Sequence, residues 1–121
     1  MAFPTIQYKA TNTALDERLT VLVNQKFESL AKYVGDETDV KCEVEFEKET
    51  AQNSGNIFRV EANFFLAGKL YRAEASELNF EKSIDKVRAE LDKELRRSRN
   101  KHETLIKKGG RKIKEMLKFG A

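Results

Sequence analysis

The sequence predicts an α+β domain of order β-α-β-β-β-α, a four-stranded mixed sheet with two helices packed on one face. Three observations lead there. Two long stretches place apolar residues at steps of three and four, the period of an amphipathic helix. Four shorter stretches alternate apolar and polar residues, the period of a half-buried strand. The alternation is one-sided, so one sheet face is apolar, both helices must cover it, and the other face is polar.

Residues 3–9 form the first strand, with Ile6 and Tyr8 on one face. Pro4 has no N–H for a ladder and belongs at the strand's start or on an edge. A helix follows, with Thr13 as its N-cap and Asp16 and Glu17 in the positive first turn. Leu15, Leu19, Leu22, Val23, Phe27, Leu30 and Val34 make its buried stripe, and Gly35 is its stop. From Val40 to Phe46 the alternation is strict: Val40, Cys42, Val44 and Phe46 face the core, and Lys41, Glu43, Glu45 and Glu47 face away. Glu49–Asn56 holds Asn53, Ser54 and Gly55 and reads as a hairpin loop. The third strand, Ile57–Leu66, sends Phe58, Val60, Ala62, Phe64 and Leu66 inward. Ala67-Gly68-Lys69 turns the chain into a fourth, with Tyr71, Ala73 and Ala75 inward. The second helix starts near Asn79 and buries Phe80, Ile84, Val87, Leu91 and Leu95; its stripe runs on through Ser98, His102 and Leu105. A strand–helix–strand start favours a parallel first pair, and the later strands form an antiparallel meander. The domain spans residues 1–106. Gly109-Gly110 is a flexible joint, and residues 107–121 are a basic tail whose Ile113, Met116 and Leu117 make at most a short amphipathic helix.

With 121 residues, 40% hydrophobic and 36% charged, the chain is one folded domain with a feasible core. One Cys excludes an internal disulfide, and no apolar run approaches the roughly 18 residues of a membrane span. The N-terminus has no secretory pattern, so a soluble protein of a reducing cytosol is expected, monomeric when free of its partner. The net charge of +3 is unevenly spread. Residues 1–95 carry 13 Lys/Arg against 18 Asp/Glu, and residues 96–121 carry 10 against 2. A concentrated basic end points to a polyanion, of which nucleic acid is the commonest.

Catalytic and metal chemistry find no support in the motifs. His102 is the single His and falls on the core stripe; Cys42 reads as an inert buried thiol. One His and one Cys give no zinc spacing, and no phosphate-cradling glycine motif occurs. No cofactor, metal or catalytic residue is expected. Glu43, Glu45 and Glu47 read as cross-strand partners of Lys9, Arg59 and Arg72.

The polar sheet face is a poor RNA platform. Its outward positions carry carboxylates and a single aromatic, Phe65, whereas RNA-recognition motifs stack bases on exposed strand aromatics. The helices remain. At 100° per residue, Lys82, Lys86, Lys93, Arg96 and Arg97 lie far from the second helix's core stripe, and Arg88, Arg99 and Lys101 flank it. Lys26 and Lys32 of the first helix extend this surface. Dipole complementarity explains a few of these cations, but not ten in the 23 residues from Arg96 to Lys118. A phosphate-binding surface does.

The run Ile84-Asp85…Leu91…Leu95-Arg96-Arg97-Ser98-Arg99-Asn100-Lys101 resembles the ribosome hibernation factors, also called the ribosome-associated inhibitor A or protein Y family. The turn Gly68-Lys69 before Ala73-Glu74-Ala75, and Lys26…Leu30-Ala31-Lys32-Tyr33, are similar to the same family over roughly residues 4–105. The resemblance implies a non-enzymatic bacterial cytoplasmic factor that binds the small ribosomal subunit, and the assembled ribosome, between head and body. There it occupies the place of mRNA and of A- and P-site tRNA. Lys26, Lys32, Lys93, Arg96, Arg97, Arg99 and Lys101 are then the rRNA contacts; Lys82 and Lys86 fit the charge but match the family pattern less well. A short form without the domain that pairs ribosomes is implied. The alternative is a double-stranded-RNA-binding module, whose α-β-β-β-α order is nearly contained here. That module opens its second helix with a lysine cluster, and this chain opens with Asn79-Phe80-Glu81-Lys82.

Overall fold

The computed structural model describes residues 3–50 and 55–120, with side chains described through Lys101. The predicted elements occur in the predicted order: β1 (Ile6–Thr11), α1 (Glu17–Phe27), β2 (Val40–Lys48), β3 (Phe58–Leu66), β4 (Lys69–Glu77) and α2 (Phe80–Gly120). A 3-10 helix, Glu28–Tyr33, continues α1. The sheet order is β1-β2-β3-β4, with β1 parallel to β2 and the other pairs antiparallel. A parallel pair cannot be closed by a hairpin, and α1 provides the crossover.

Register follows from the alternation. Cys42, Val44 and Phe46 of β2 are buried opposite Phe64, Ala62 and Val60 of β3, which oppose Tyr71, Ala73 and Ala75 of β4. A slip of one residue would turn every one of these to water. Onto that face α1 packs Leu19, Val23 and Phe27, the 3-10 helix packs Leu30, and α2 packs Ile84, Val87, Leu91 and Leu95. Truncating a fully buried Leu91 to Ala would cost about 2–5 kcal/mol. Ser83, the buried polar residue among those described, donates its hydroxyl to the Phe58 carbonyl at 2.5 Å and fixes the start of α2 on β3. Asn79 caps that start, its side-chain oxygen accepting from the Lys82 N–H at 2.8 Å. The β3–β4 turn has positive φ at Ala67 (51°) and Gly68 (81°), the twist that a two-residue hairpin needs. The Ala67 N–H donates to the Asp39 carbonyl at 2.8 Å, tying the turn to the chain just before β2.

Several expectations are corrected. The first strand begins at Ile6 rather than at residue 3, two residues beyond Pro4. Asp16, not Thr13, caps α1, accepting from the Arg18 N–H at 2.9 Å. Leu15 therefore precedes the helix and is 51% exposed instead of joining the stripe. The helical stretch is not uniform: after Phe27 it tightens to 3-10. There Ser29 donates its hydroxyl back to the Lys26 carbonyl at 2.9 Å, a bond that competes with the α-helical pattern. Gly35 ends it with φ of 56°. At the other end, the joint expected at Gly109-Gly110 lies inside α2, which is one helix to Gly120. A helix nucleated upstream elongates residue by residue, and each glycine subtracts only about 1 kcal/mol. The side chains of His102, Leu105, Ile113, Met116 and Leu117, and residues Asn53 and Ser54 of the β2–β3 loop, lie outside the described residues.

Candidate nucleic-acid interface

The buried stripe of α2 divides its cations into two flanks. On the flank facing α1 and the 3-10 helix, Lys26 reaches Asp85 at 2.6 Å and Arg88 donates to the Ser29 hydroxyl at 3.5 Å. About two turns beyond Asp85, Asp92 gathers three partners. It accepts from the Tyr33 hydroxyl at 2.8 Å and lies 4.0 Å from Lys32 and 3.5 Å from Arg96. The Arg99 guanidinium sits 4.8 Å from the centre of the Tyr33 ring. Burial, with the Asp92 bond and charge added, raises the Tyr33 pKa above its ordinary value.

The flank facing β4 is more open. Lys86 pairs with Glu77 at 3.0 Å, and Arg97 with Glu94 at 3.3 Å on its own helix. Lys93 lines a groove with Lys86 and Arg72, between α2 and β4, and has no ion-pair partner among the described residues. The ammonium groups of Lys82 and Lys101 are likewise without one. Eight of the nine candidate residues, all but Lys101, thus fall into two sets rather than a single patch. Lys26, Lys32, Arg96 and Arg99 lie along the seam between the helices, and Lys82, Lys86, Lys93 and Arg97 lie on the other side of the α2 crest. The Asp92–Arg96 pair is an i,i+4 spacing within α2, but sequence spacing could not show Asp85 restraining Lys26 or Asp92 restraining Lys32, since those partners lie on another element. It also missed the meeting of Tyr33 with Tyr71 in one groove, residues 38 positions apart in sequence that come together only in the fold.

The open sheet face neutralises itself. Arg59 is hydrogen-bonded to Glu47 at 3.1 Å, to Glu74 at 2.5 Å and to Glu61, and lies 3.8 Å from Glu45. Burial alone would lower the Arg59 pKa, but its bonds to Glu74 and Glu61 raise it well above the ordinary arginine value. For Glu61 burial opposes ionisation, and the bonds from Arg59, Asn63 and Arg72 prevail and lower its pKa. The expected cross-strand pairing holds for Lys9 with Glu45 and for Arg59, but two pairs differ. Arg72 bonds Glu61 and Glu74 rather than β2, and Glu43 pairs with Lys41 on its own strand at 2.9 Å. Leu70 joins Phe65 as an exposed apolar pair at one end of this face, opposite each other in register.

Other chemistry is sparse. Cys42 is fully buried, and burial pushes its thiol up to about 12, where no nucleophilic thiolate forms at neutral pH. No group of three or more His, Cys, Asp or Glu suited to a metal occurs among the described residues. No helix among them is long and apolar enough to cross a membrane.

A mixed sheet whose open face is self-neutralised, with unpaired lysines on the helix layer among the described residues, defines an α+β domain with two electrostatically distinct sides. The sequence profile of the family described as "Sigma 54 modulation protein / S30EA ribosomal protein" matches residues 6–103, and the chain belongs to this ribosome-associated family. No curated protein matches the chain. Among solved structures it is similar to the N-terminal domain of Thermus thermophilus Protein Y, at 21% identity and TM-score 0.64, over 78% of this chain and 98% of that one. It is also similar to a ribosomal subunit interface protein from Coxiella burnetii, at 20% identity and TM-score 0.61, over 78% and 97%. At these identities the likeness concerns the fold.

Proposed function

We propose that the chain is a hibernation-type inhibitor of translation that binds small-subunit rRNA through its helix layer. Seated in the decoding channel, it would exclude mRNA and A- and P-site tRNA by occupying their space. The observation that carries this reading is the distribution of unpaired charge. Arg59 and Arg72 on the sheet are engaged by carboxylates, whereas Lys82, Lys93 and Lys101 on α2 have no ion-pair partner among the described residues. Phosphates favour the second kind of surface, because each contact releases counterions without first breaking an internal pair. The family supports the ribosome as partner. The contacting set is Lys26, Lys32, Lys82, Lys86, Lys93, Arg96, Arg97, Arg99 and Lys101. In this reading residues 1–106 are the binding unit, residues 107–121 add a basic tail, and the protein acts as a monomer in the bacterial cytoplasm. Occlusion needs no reaction, so inhibition is stoichiometric with ribosomes and leaves rRNA and tRNA intact.

Sedimentation with isolated small subunits, assembled ribosomes and free duplex RNA tests the reading. Binding to small subunits and ribosomes, relieved by excess mRNA and initiator tRNA, is the expected result. Equal affinity for free duplex RNA would replace it with a general duplex-binding module, and multiple-turnover inactivation of ribosomes would replace it with an enzyme.

A further inference from the structure

A groove of about 660 Å³ opens where the 3-10 helix, the β3–β4 turn and α2 converge. Tyr33 and Tyr71 line it, with Leu66 and Leu95 behind them and Lys69 and Arg99 beside them. Each ring carries a cation: Arg99 is 4.8 Å from the Tyr33 centre, and the Lys69 ammonium is 4.9 Å from that of Tyr71. Both phenols are anchored, Tyr33 to Asp92 and Tyr71 to the Ser98 hydroxyl at 2.8 Å, so the rings are held in place before any ligand arrives. The volume falls within the roughly 300–1,000 Å³ of small-ligand sites. Glu37, the acidic side chain on its wall, already accepts from the Asp39 N–H at 3.1 Å.

We infer that this groove takes one unpaired RNA nucleotide, its base stacked on Tyr71 and its phosphate on Arg99 and Lys69. The inference rests on the RNA-binding reading above and adds a pocket for a single base to a surface otherwise described by charge. Unpaired bases are recognised by stacking on aromatic rings and Arg planes, and stacking tolerates any base. Lys69 is the exposed first residue of β4 and has a flexible stem, so a base can displace its ammonium from the Tyr71 face and leave it turned toward the phosphate. Arg99 supplies the second cation at the point where the Lys32–Arg96 seam reaches the groove. An apolar protein side chain would fill the same walls but leave both cations unmatched.

The chain contains three tyrosines and no tryptophan, and two of the three line the groove, so its intrinsic fluorescence reports on it directly. Oligouridylate of about six nucleotides, which stacks little on itself, is the probe. Adding it to the full chain at low salt should quench tyrosine emission. In anisotropy with labelled oligouridylate, Tyr71→Leu should lower affinity about fivefold or more, and Tyr71→Phe should stay within about twofold of wild type. Both variants lose the Ser98 bond, so only the ring separates them, and thermal melts confirm that both fold. Absence of quenching, or equal affinity for Tyr71→Leu and wild type, overturns the inference. So does a Tyr71→Leu variant that keeps oligouridylate but loses small subunits, which would put a protein side chain in the groove. A wild-type chain that is quenched by oligouridylate yet fails to sediment with small subunits leaves the groove standing and defeats only the ribosomal reading.

Discussion

Replacing Asp92 by Asn should strengthen RNA binding while slightly weakening the fold. Asp92 sits 3.5 Å from Arg96 and 4.0 Å from Lys32, and its charge competes with any phosphate for both cations. A phosphate contacting either cation from outside at about 2.9 Å lies about 6.5 Å from the carboxylate. Their repulsion is about 0.6 kcal/mol at the permittivity of water and about 2.5 kcal/mol at an effective value of 20, a factor of roughly 3 to 70. Asp92 is 20% exposed and so lies between these limits; about a tenfold gain is expected at low salt. The salt slope should steepen by about 0.9, as for one added phosphate contact. On the other side, Lys32 and Arg96 are more than half exposed, so the lost pairs are worth at most about 1 kcal/mol. The amide oxygen of Asn can still accept from Tyr33, which preserves the helix seam. Small-subunit binding measured from about 50 to about 300 mM salt, with a denaturant titration of the free chain, reads both quantities. Unchanged affinity and slope in a folded Asp92→Asn variant would refute the idea that this seam faces phosphate.

Three further outcomes follow from the same geometry. Lys93→Glu should reduce ribosome binding far more than Arg72→Glu in a sedimentation assay, since Arg72 serves Glu61 and Glu74 and Lys93 serves neither; equal losses would return the sheet to the interface. Arg59→Leu should destabilise the fold by about 2–3 kcal/mol at neutral pH, because Glu61 and Glu74 lose a charged donor. The Glu61 pKa is lowered in the folded state, so its contribution is present above the unfolded value of 4.5 and lost as pH falls below it. Denaturation curves of wild type and variant should therefore converge in acid, and a constant gap from pH about 7 to about 3 would contradict the assignment. Ala67→Gly should raise stability by about 0.5–1 kcal/mol, read as a higher melting temperature, because Ala67 holds a φ of 51° that a Cβ disfavours.

The strands were legible because β2 and β3 bury every second residue, and a period of two leaves no choice of face. The start of α1 was not. Thr13 and Asp16 are both competent caps three residues apart, and only Leu15 turning outward shows which one the chain uses. The shift to 3-10 after Phe27 was equally hidden, since Leu30 and Val34 satisfy an α-helical stripe as well. For the interface, the residue types were readable but their availability was not. Lys26 and Lys93 look alike in sequence, and what separates them is Asp85, brought against Lys26 by the packing of α1 on α2. The tyrosine groove left no sequence signal, since Tyr71 fits the apolar pattern of β4 and nothing in the spacing of Tyr33 shows that the two rings meet.

The self-neutralised sheet face has a consequence for motion as well as for contact. Five glutamates (Glu43, Glu45, Glu47, Glu61 and Glu74) stand on it against Lys9, Lys41, Arg59 and Arg72, and the unpaired lysines stand behind it on α2. Among the described side chains, uncompensated positive charge therefore lies on the helix layer and not on the open sheet face. In the field of a large polyanion such a body turns before it lands, so that the helix layer leads and fewer encounters are wasted on the wrong side. That torque acts on the rate of arrival and fades with added salt, while the rate of departure is set by the contacts made after landing.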